Sequence, residues 1–318
     1  MTATSSDVKA WARELGFVAC GVTTPGPSER AAFFDEWIAR GYGGTMRYLH
    51  RQAKKRKDTR LIDAEARSII VVLDNYYYAG PAAASSARSG QADGLKIARY
   101  ARGRDYHDVL GERLDLLGER LLGAGARHVR RYADAGPVPE RDLAVRAGLG
   151  WIGKNAMLIR PGAGSWCFIG TIFTDLALEA DAPYPTDHCG TCTRCLEACP
   201  TGAFVEPRLL DATRCISYLT IEQKGPIPDD LAASLDGWAF GCDACNDACP
   251  WNVKFAEETA VPGYRPEGRP EPDGEDFDAL DEAEFERRYA GTPFSRPGLA
   301  GMRRNVRAAR RSRSGTPS

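Results

Sequence analysis

Eight of the ten cysteines in this 318-residue chain fall within 61 residues, in two groups that each close on Cys-Pro. The first reads Cys189-Gly-Thr-Cys192-Thr-Arg-Cys195-Leu-Glu-Ala-Cys199-Pro200. The second reads Cys242-Asp-Ala-Cys245-Asn-Asp-Ala-Cys249-Pro250, and Cys215 stands 27 positions before Cys242. A tight loop points every third side chain inward, so three thiolates spaced by two residues wrap one face of an iron–sulfur cubane. The fourth cysteine, followed by proline, leaves the loop and reaches the other cluster. The spacing therefore predicts two [4Fe–4S] clusters. Cys189, Cys192, Cys195 and Cys249 hold one; Cys199, Cys242 and Cys245 share the other. Ala239 sits where a strict repeat would put the missing ligand, so Cys215, the unassigned cysteine nearby, is placed there. Two four-cysteine zinc sites or a set of disulfides are the alternatives. Zinc accepts four thiolates but does not require two Cys-x-x-x-Cys-Pro endings, and disulfides belong to oxidising compartments. Cys20 and Cys167 stand apart in apolar stretches and read as core thiols.

The chain is long enough for two domains with sizeable cores. Its formal net charge of −1 provides no global field for nucleic acid. The charge is unevenly placed, however. Arg303, Arg304, Arg307, Arg310, Arg311 and Arg313 crowd the last sixteen residues. Such an end either stays solvated or adds phosphate affinity. The first sixteen residues, MTATSSDVKAWARELG, lack an export pattern. The strongest apolar run, near Ile69–Leu73, is far too short to span a bilayer. With cluster chemistry that needs reducing surroundings, the expectation is a cytoplasmic protein without a membrane segment.

Hydrophobic periodicity places the motifs. Asp7 is expected to cap a helix carrying Val8, Trp11, Ala12 and Leu15 and ending at Gly16. A second helix is expected over 30–40. Ser68–Leu73 reads as a buried strand, and 79–94, rich in Ala, Ser and Gly, as a long loop. Asp105 starts a helix with Tyr106, Val109, Leu110, Leu114, Leu117 and Leu121 in helical spacing. Strands are expected over 127–132 and 165–173, with a helix over 141–147 between them. The mixed order argues for an α+β fold and against a regular doubly wound sheet: an α/β-layered domain over 1–178, a bacterial ferredoxin-like two-cluster domain over 179–255, and an extension over 256–318. In that extension a Pro/Gly/Glu-rich stretch, 262–275, leads to a short helix near 280–289 and the basic end.

A ferredoxin needs little beyond its cysteine loops, so the domain ahead of them must receive the electrons. No Gly-x-Gly-x-x-Gly follows a strand, which leaves a dinucleotide site unsupported. Asp105-x-His107 is similar to the start of a histidine-donating cobalamin motif, but Leu110 takes its glycine position. No axial histidine is expected, and His107 reads as a hydrogen-bonding or capping residue. Asp134 ends a strand before Gly136-Pro137. An acid there either caps the turn or does chemistry.

Several stretches together carry a family resemblance: Tyr100-Ala-Arg-Gly-Arg-Asp-Tyr-His107, Asp134 to Arg141, Ala147-Gly-Leu-Gly-Trp-Ile-Gly-Lys154, Gly164-Ser-Trp166, the first cysteine group, Arg214-Cys-Ile-Ser-Tyr-Leu-Thr-Ile-Glu222, Lys224-Gly-Pro-Ile-Pro228, and Gly241 through Cys-Pro-Trp-Asn252. Through them the chain resembles the epoxyqueuosine reductases, relatives of the cobalamin-dependent reductive dehalogenases. It ends without the C-terminal helical repeats of longer members. The resemblance implies that the chain reduces epoxyqueuosine to queuosine in the anticodon loop of tRNA. It implies cobalamin between the α/β domain and the cluster domain, with no histidine below cobalt and Asp134 as proton donor. Cobalamin contacts would fall on Arg56, Asp134, Lys154, Leu158, Ile169, Ser217, Cys242 and Asp243. tRNA contacts would fall on Glu222, Lys224, Ser295, Arg296, Arg303 and Arg304. Electrons would come from a donor such as a flavodoxin or ferredoxin, and the protein would act as a monomer. A ferredoxin-type carrier would instead hold iron and sulfide without cobalt. A reductive dehalogenase would bring an export signal.

Overall fold

The computed structural model describes residues 3–79, 95–266 and 274–314. Most of the expected 79–94 loop and the middle of the Pro/Gly/Glu-rich stretch lie outside the described residues. Among the described residues seven strands occur before the cysteine groups: β1 (Ala19–Thr23), β2 (Ser68–Asn75), β3 (Lys96–Ile97), β4 (Val129–Ala133), β5 (Trp151–Ile152), β6 (Leu158–Ile159) and β7 (Cys167–Thr174). Four of them form one sheet in the order β1-β2-β7-β4, with every pair antiparallel. β2 explains the two-sided packing. Its unbroken Ile-Ile-Val-Val-Leu run sends Ile70 and Val72 to one face and Ile69, Val71 and Leu73 to the other. Both faces are therefore covered, as a continuous apolar strand requires.

Helices α1 (Ser5–Glu14), α2 (Ala31–Ala39), α3 (Arg47–Arg51), α4 (Ala53–Lys57), α5 (Tyr106–Gly123) and α6 (Glu140–Arg146) accompany these strands. α1 and α5 cover the first face with Val8, Ala12, Leu110, Leu114, Leu117 and Leu121. α6 covers the second with Leu143 and Ala144. The start of α1 differs from the expectation. Thr4 is the cap, and Asp7 is the third helical residue, closing a reciprocal capping box. The helix begins earlier because Thr4 and Asp7 satisfy each other's backbone N–H, which one acid cannot do alone. Asp105 caps α5 as expected, accepting from the backbone N–H of His107.

A second core joins the cluster region to the C-terminus. β3 pairs in parallel with Trp238–Phe240. Around that pair gather Ile97, Phe240, Phe277, Phe285, Tyr289, Phe294, Leu299, Met302, Val306 and Ala309. The basic end is ordered as far as residue 314, with Arg303, Arg304 and Arg310 half-buried and Arg307, Arg311 and Arg313 exposed. It forms a helix over Gly298–Ser314, because Leu299, Met302, Val306 and Ala309 interleave the arginines at helical spacing and bury one stripe. Asn252 stitches the cluster region to the start of β7. Its Oδ1 accepts from the Ser165 N–H at 2.6 Å. Gly164, at φ +77°, makes room for it: a Cβ there would lie 2.2 Å from that same Oδ1. Among the described residues no helix is long and apolar enough to cross a membrane.

Candidate functional site

The fold gathers the eight thiols into the two expected groups. Cys189, Cys192, Cys195 and Cys249 line a cavity of about 170 Å³ together with Lys154, Ile159, His188 and Trp251. Cys199, Cys215, Cys242 and Cys245 lie within electrostatic reach of one another. All ten cysteines are unpaired. Among the described residues no three His, Cys, Asp or Glu side chains are placed to hold a single metal ion. A zinc site draws four ligands onto one centre, whereas a cubane holds its thiolates apart on its corners. Burial, with neighbouring thiols adding to it, raises Cys195 to about 11 and pushes Cys242 and Cys245 higher still. Burial thus favours the thiol form at these three positions, and binding iron there must release protons.

The quartets differ in depth. The first lies under an exposed loop, with His188, Gly190, Thr191 and Thr193 open to solvent. The second is flanked by buried Ile216, Phe240 and Asp243. Backbone N–H groups of Ala203 and Ala244 point at Cys199 Sγ and Cys242 Sγ at 3.3 and 3.5 Å. Such donors favour the more negative, reduced state of a cluster. Cys20 and Cys167 lie on β1 and β7 beside the two faces of the sheet. Burial pushes both thiols up to about 12, as expected of core thiols.

Beyond the second quartet an aromatic wall leads to Asp134. Tyr100 packs edge-on against Tyr106 at 5.8 Å, and Tyr106 stacks on Phe168 at 4.5 Å. Tyr100 feels the charges of both Asp134 and Asp243. Asp134 follows the last residue of β4, where Ala133 pairs with Gly170 of β7, one residue from Ile169. Its φ is +55°, a left-handed conformation that Asp tolerates better than most residues. Three groups hold it. Tyr106 donates a short hydrogen bond to its Oδ2. Its own N–H donates to Glu140 Oε1 at 2.8 Å. His107 Nε2 lies 3.9 Å from Oδ2. Arg56 braces the loop from α4, donating to the carbonyls of Gly136 and Val138. The Asp134 carboxylate itself is 61% exposed and faces open space.

The electrostatics of this pocket are those of crowded acids. Burial first, then the charge of Asp134, pushes Glu140 up to about 8. Burial works against a charge on His107, but its hydrogen bond to Asp105 and the nearby acids outweigh that and raise its pKa. His107 Nδ1 is engaged by Asp105 at 2.7 Å. His107 thus acts as a hydrogen-bonding residue, the role expected of it.

Comparison with known proteins agrees with this geometry. The family described as "Epoxyqueuosine reductase QueG, DUF1730" matches residues 56–135, and the "4Fe-4S double cluster binding domain" matches 188–252. The epoxyqueuosine reductase of Xanthomonas campestris is 42% identical, over 96% of this chain and 86% of its own length. This chain belongs to the epoxyqueuosine reductase family. The enzyme of Synechocystis is 43% identical over 88% of this chain and 95% of its own length. A solved epoxyqueuosine reductase with a tRNA-Tyr epoxyqueuosine-modified stem loop superposes with a TM-score of 0.82 at 31% identity, covering 96% of this chain and 80% of the other. The Bacillus subtilis epoxyqueuosine reductase, whose catalytic Asp loop is swung out of the active site, gives 0.80 at 30% identity over the same shares. The protein is therefore an oxidoreductase of this family with a double [4Fe–4S] domain.

Placed against that family, the expected site residues fall into three neighbourhoods. Arg56, Leu158, Ile169 and the Asp134 loop share the core beneath the second sheet face. Arg56 Nε is buried there without a partner, a donor left over for an acceptor on a bound group. Ser217, Cys242 and Asp243 sit at the second quartet, where Asp243 is held by Arg99. Lys154 lies apart, at the first quartet, donating to the carbonyls of Gly190 and Cys192. On the tRNA side, Glu222 and Arg296 pair at 3.0 Å, and Lys224 and Ser295 are exposed close by in sequence. Arg303 donates to the carbonyls of Phe277 and Leu280, and Arg304 to those of Leu219, Gln223 and Gly225. Sequence reasoning missed Tyr106, Glu140 and Tyr100 as neighbours of Asp134. All three stand in the stretches that carry the resemblance, but only folding brings α5 against the end of β4.

Proposed function

We propose that this chain reduces the epoxide of epoxyqueuosine in a tRNA anticodon loop to the alkene of queuosine, using two [4Fe–4S] clusters, cobalamin and a proton from Asp134. The observation that carries the reading is the Asp134 loop: a strained, exposed carboxylate, braced by Tyr106, Glu140 and Arg56, at the end of an aromatic wall that begins at the second thiol quartet. The relative solved with a modified stem loop supports the substrate, and the Bacillus subtilis relative supports the loop.

The reaction opens the epoxide C–O bonds with two electrons and two protons, leaving an alkene and water. Arg56, Lys154, Leu158, Ile169, Ser217, Cys242 and Asp243, with Asp134, would hold cobalamin. When bound, it supplies a metal that stores the electrons the clusters deliver singly. His107 is engaged by Asp105 through Nδ1. Asp134 meets the departing oxygen. An alkoxide leaves poorly, and a positioned acid helps by about 10²–10⁴-fold. Tyr106 orients the carboxyl, while the half-buried acid Glu140 accepts from the Asp134 N–H and fixes the backbone beneath it. The charge of Asp134 adds to burial in keeping the proton on Glu140.

The nucleoside would enter from the side of Glu222, Lys224, Ser295 and Arg296, as a base splayed from a single-stranded loop. Arg303 and Arg304 serve that side by holding the 219–225 backbone. The electron donor, a small redox protein such as a flavodoxin or ferredoxin, meets the first quartet, which lies nearer the surface. The chain acts as a monomer in the cytoplasm.

The test is queuosine formation on a stem loop carrying epoxyqueuosine, by protein reconstituted anaerobically with iron, sulfide and cobalamin. Wild type is expected to turn over. Asp134→Asn should keep iron and corrin but lose turnover by at least about 10²-fold. No product from wild type defeats the reading, and near wild-type turnover by the variant removes Asp134 from it.

A further inference from the structure

We infer that the outer face of α3 and α4 is a phosphate-docking strip that seats the stem of the substrate RNA beside the pocket. The inference rests on the function proposed above and adds a surface to it.

The two short helices follow one another with only Gln52 between them, and the i→i−4 bonds Gln52 N–H to Tyr48 and Arg56 N–H to Gln52 carry the helical sense across the joint. At 3.6 residues per turn, Arg47, Arg51 and Lys54 share one stripe with Lys55 at its border, while Tyr48, Gln52 and Arg56 occupy the adjoining face. The two faces have different surroundings. On the inner one, Arg56 is half-buried and braces the catalytic loop. Tyr48 is half-buried within electrostatic reach of Asp134, Glu222, Arg296 and Arg56. Just before α3, Thr45 binds the Tyr218 hydroxyl and the Glu222 carbonyl. The segment therefore forms the rim between the Asp134 loop and the 222–224 loop. On the outer face, Arg47, Arg51, Lys54 and Lys55 are all exposed. Among the described residues none of the four has an acidic partner within 4 Å; the neighbouring Lys57, in contrast, pairs with Asp35.

Four unneutralised cations over about 12 Å of helix, on a protein of net charge −1, are poorly explained by stability. Surface cations usually gain what they can from nearby acids, and among the described residues no acid pairs with these four; Asp35 and Glu36 are taken by Lys57 and Arg40. An anion of extended form complements the strip. With the nucleoside in the pocket, the RNA backbone leading away must cross one rim or the other, and this rim carries the free positive charge. The adjoining 222–225 loop offers less: Lys224 is exposed, but Arg296 pairs with Glu222 and Arg304 is tied to carbonyls.

The experiment compares wild type with Arg51→Gln/Lys54→Gln/Lys55→Gln, fully loaded with clusters and cobalamin. Fluorescence anisotropy with a stem loop carrying epoxyqueuosine gives Kd from about 50 to 200 mM KCl. The expected result is a log Kd against log salt slope shallower by about 2, and affinity weaker by at least about tenfold near 0.1 M salt. KM should rise at unchanged kcat, with unchanged Tm and iron content. Equal slopes and affinities for the two proteins overturn the inference. So does a variant that binds RNA normally but accepts electrons slowly from an acidic redox protein, which would assign the strip to the donor. Wild type unable to convert the stem loop would instead defeat the function itself, so the two failures are distinguishable.

Discussion

Two stretches of this chain are rich in basic residues, and folding uses them in opposite ways. In the C-terminal helix, Arg303 and Arg304 turn inward and hydrogen-bond five backbone carbonyls, while Arg307 pairs with Asp278. In α3 and α4, four cations point outward with no acidic partner among the described residues. In sequence the C-terminal stretch looks more like a nucleic-acid tail. In the structure it is a brace, and the quieter stretch carries the available charge. Basic composition alone therefore does not locate an electropositive surface. What matters is whether an apolar stripe runs between the cations and pulls their helix onto a core.

The largest expected effect that could break this contrast is at Arg304. Arg304→Ala removes donors from the part-buried carbonyls of Leu219 and Gln223 and from the exposed carbonyl of Gly225. Hydrogen bonds to charged groups contribute about 1.5–3 kcal/mol each and are not additive, so a loss of about 2–4 kcal/mol is expected in denaturant unfolding. A loss below 0.5 kcal/mol would mean that this helix is not a brace.

Glu140 sharpens the contrast from the acidic side, since its charge is withheld by folding. Its pKa is raised in the folded state, from 4.5 to about 8, so the native protein binds the extra proton. Stability contributed by this group is therefore present below about pH 4.5 and is lost as pH climbs toward 8. Glu140→Gln keeps an acceptor for the Asp134 N–H and removes the titration. The variant should gain on wild type by about 1–3 kcal/mol between pH 5 and pH 8 in parallel unfolding curves. Parallel pH dependences would show that Glu140 ionises freely.

The smallest effects complete the comparison. The α3–α4 triple variant should stay within about 0.5 kcal/mol of wild type in stability. Arg307→Ala should cost less than about 0.5 kcal/mol, because its ion pair with Asp278 is well exposed. A larger loss at Arg307 would extend the brace to the whole length of the helix.

Legibility in the sequence followed the range of the interactions. The thiol spacing, the buried strand expected over Ser68–Leu73 and found over Ser68–Asn75, and the cap at Asp105 were readable because each rests on neighbours within a turn or a loop. The α1 cap slipped by three residues because Thr4 and Asp7 act as a pair. The C-terminal helix carried a readable signal, Leu299, Met302, Val306 and Ala309, hidden by the density of arginine around it. Nothing local announced that Tyr106 would bond to Asp134, 28 positions away.

The one-dimensional pattern by itself determined the cluster chemistry and the family, since a loop of three residues per thiol can be judged without knowing where it packs. It also marked Asp134, through a short motif at a strand end. The tertiary structure alone decided which acid sits against another, which arginines are consumed by carbonyls and which cations face water. Those outcomes depend on burial and on partners far away in the chain. The same guanidinium is a buried brace or a free charge according to what the fold sets beside it.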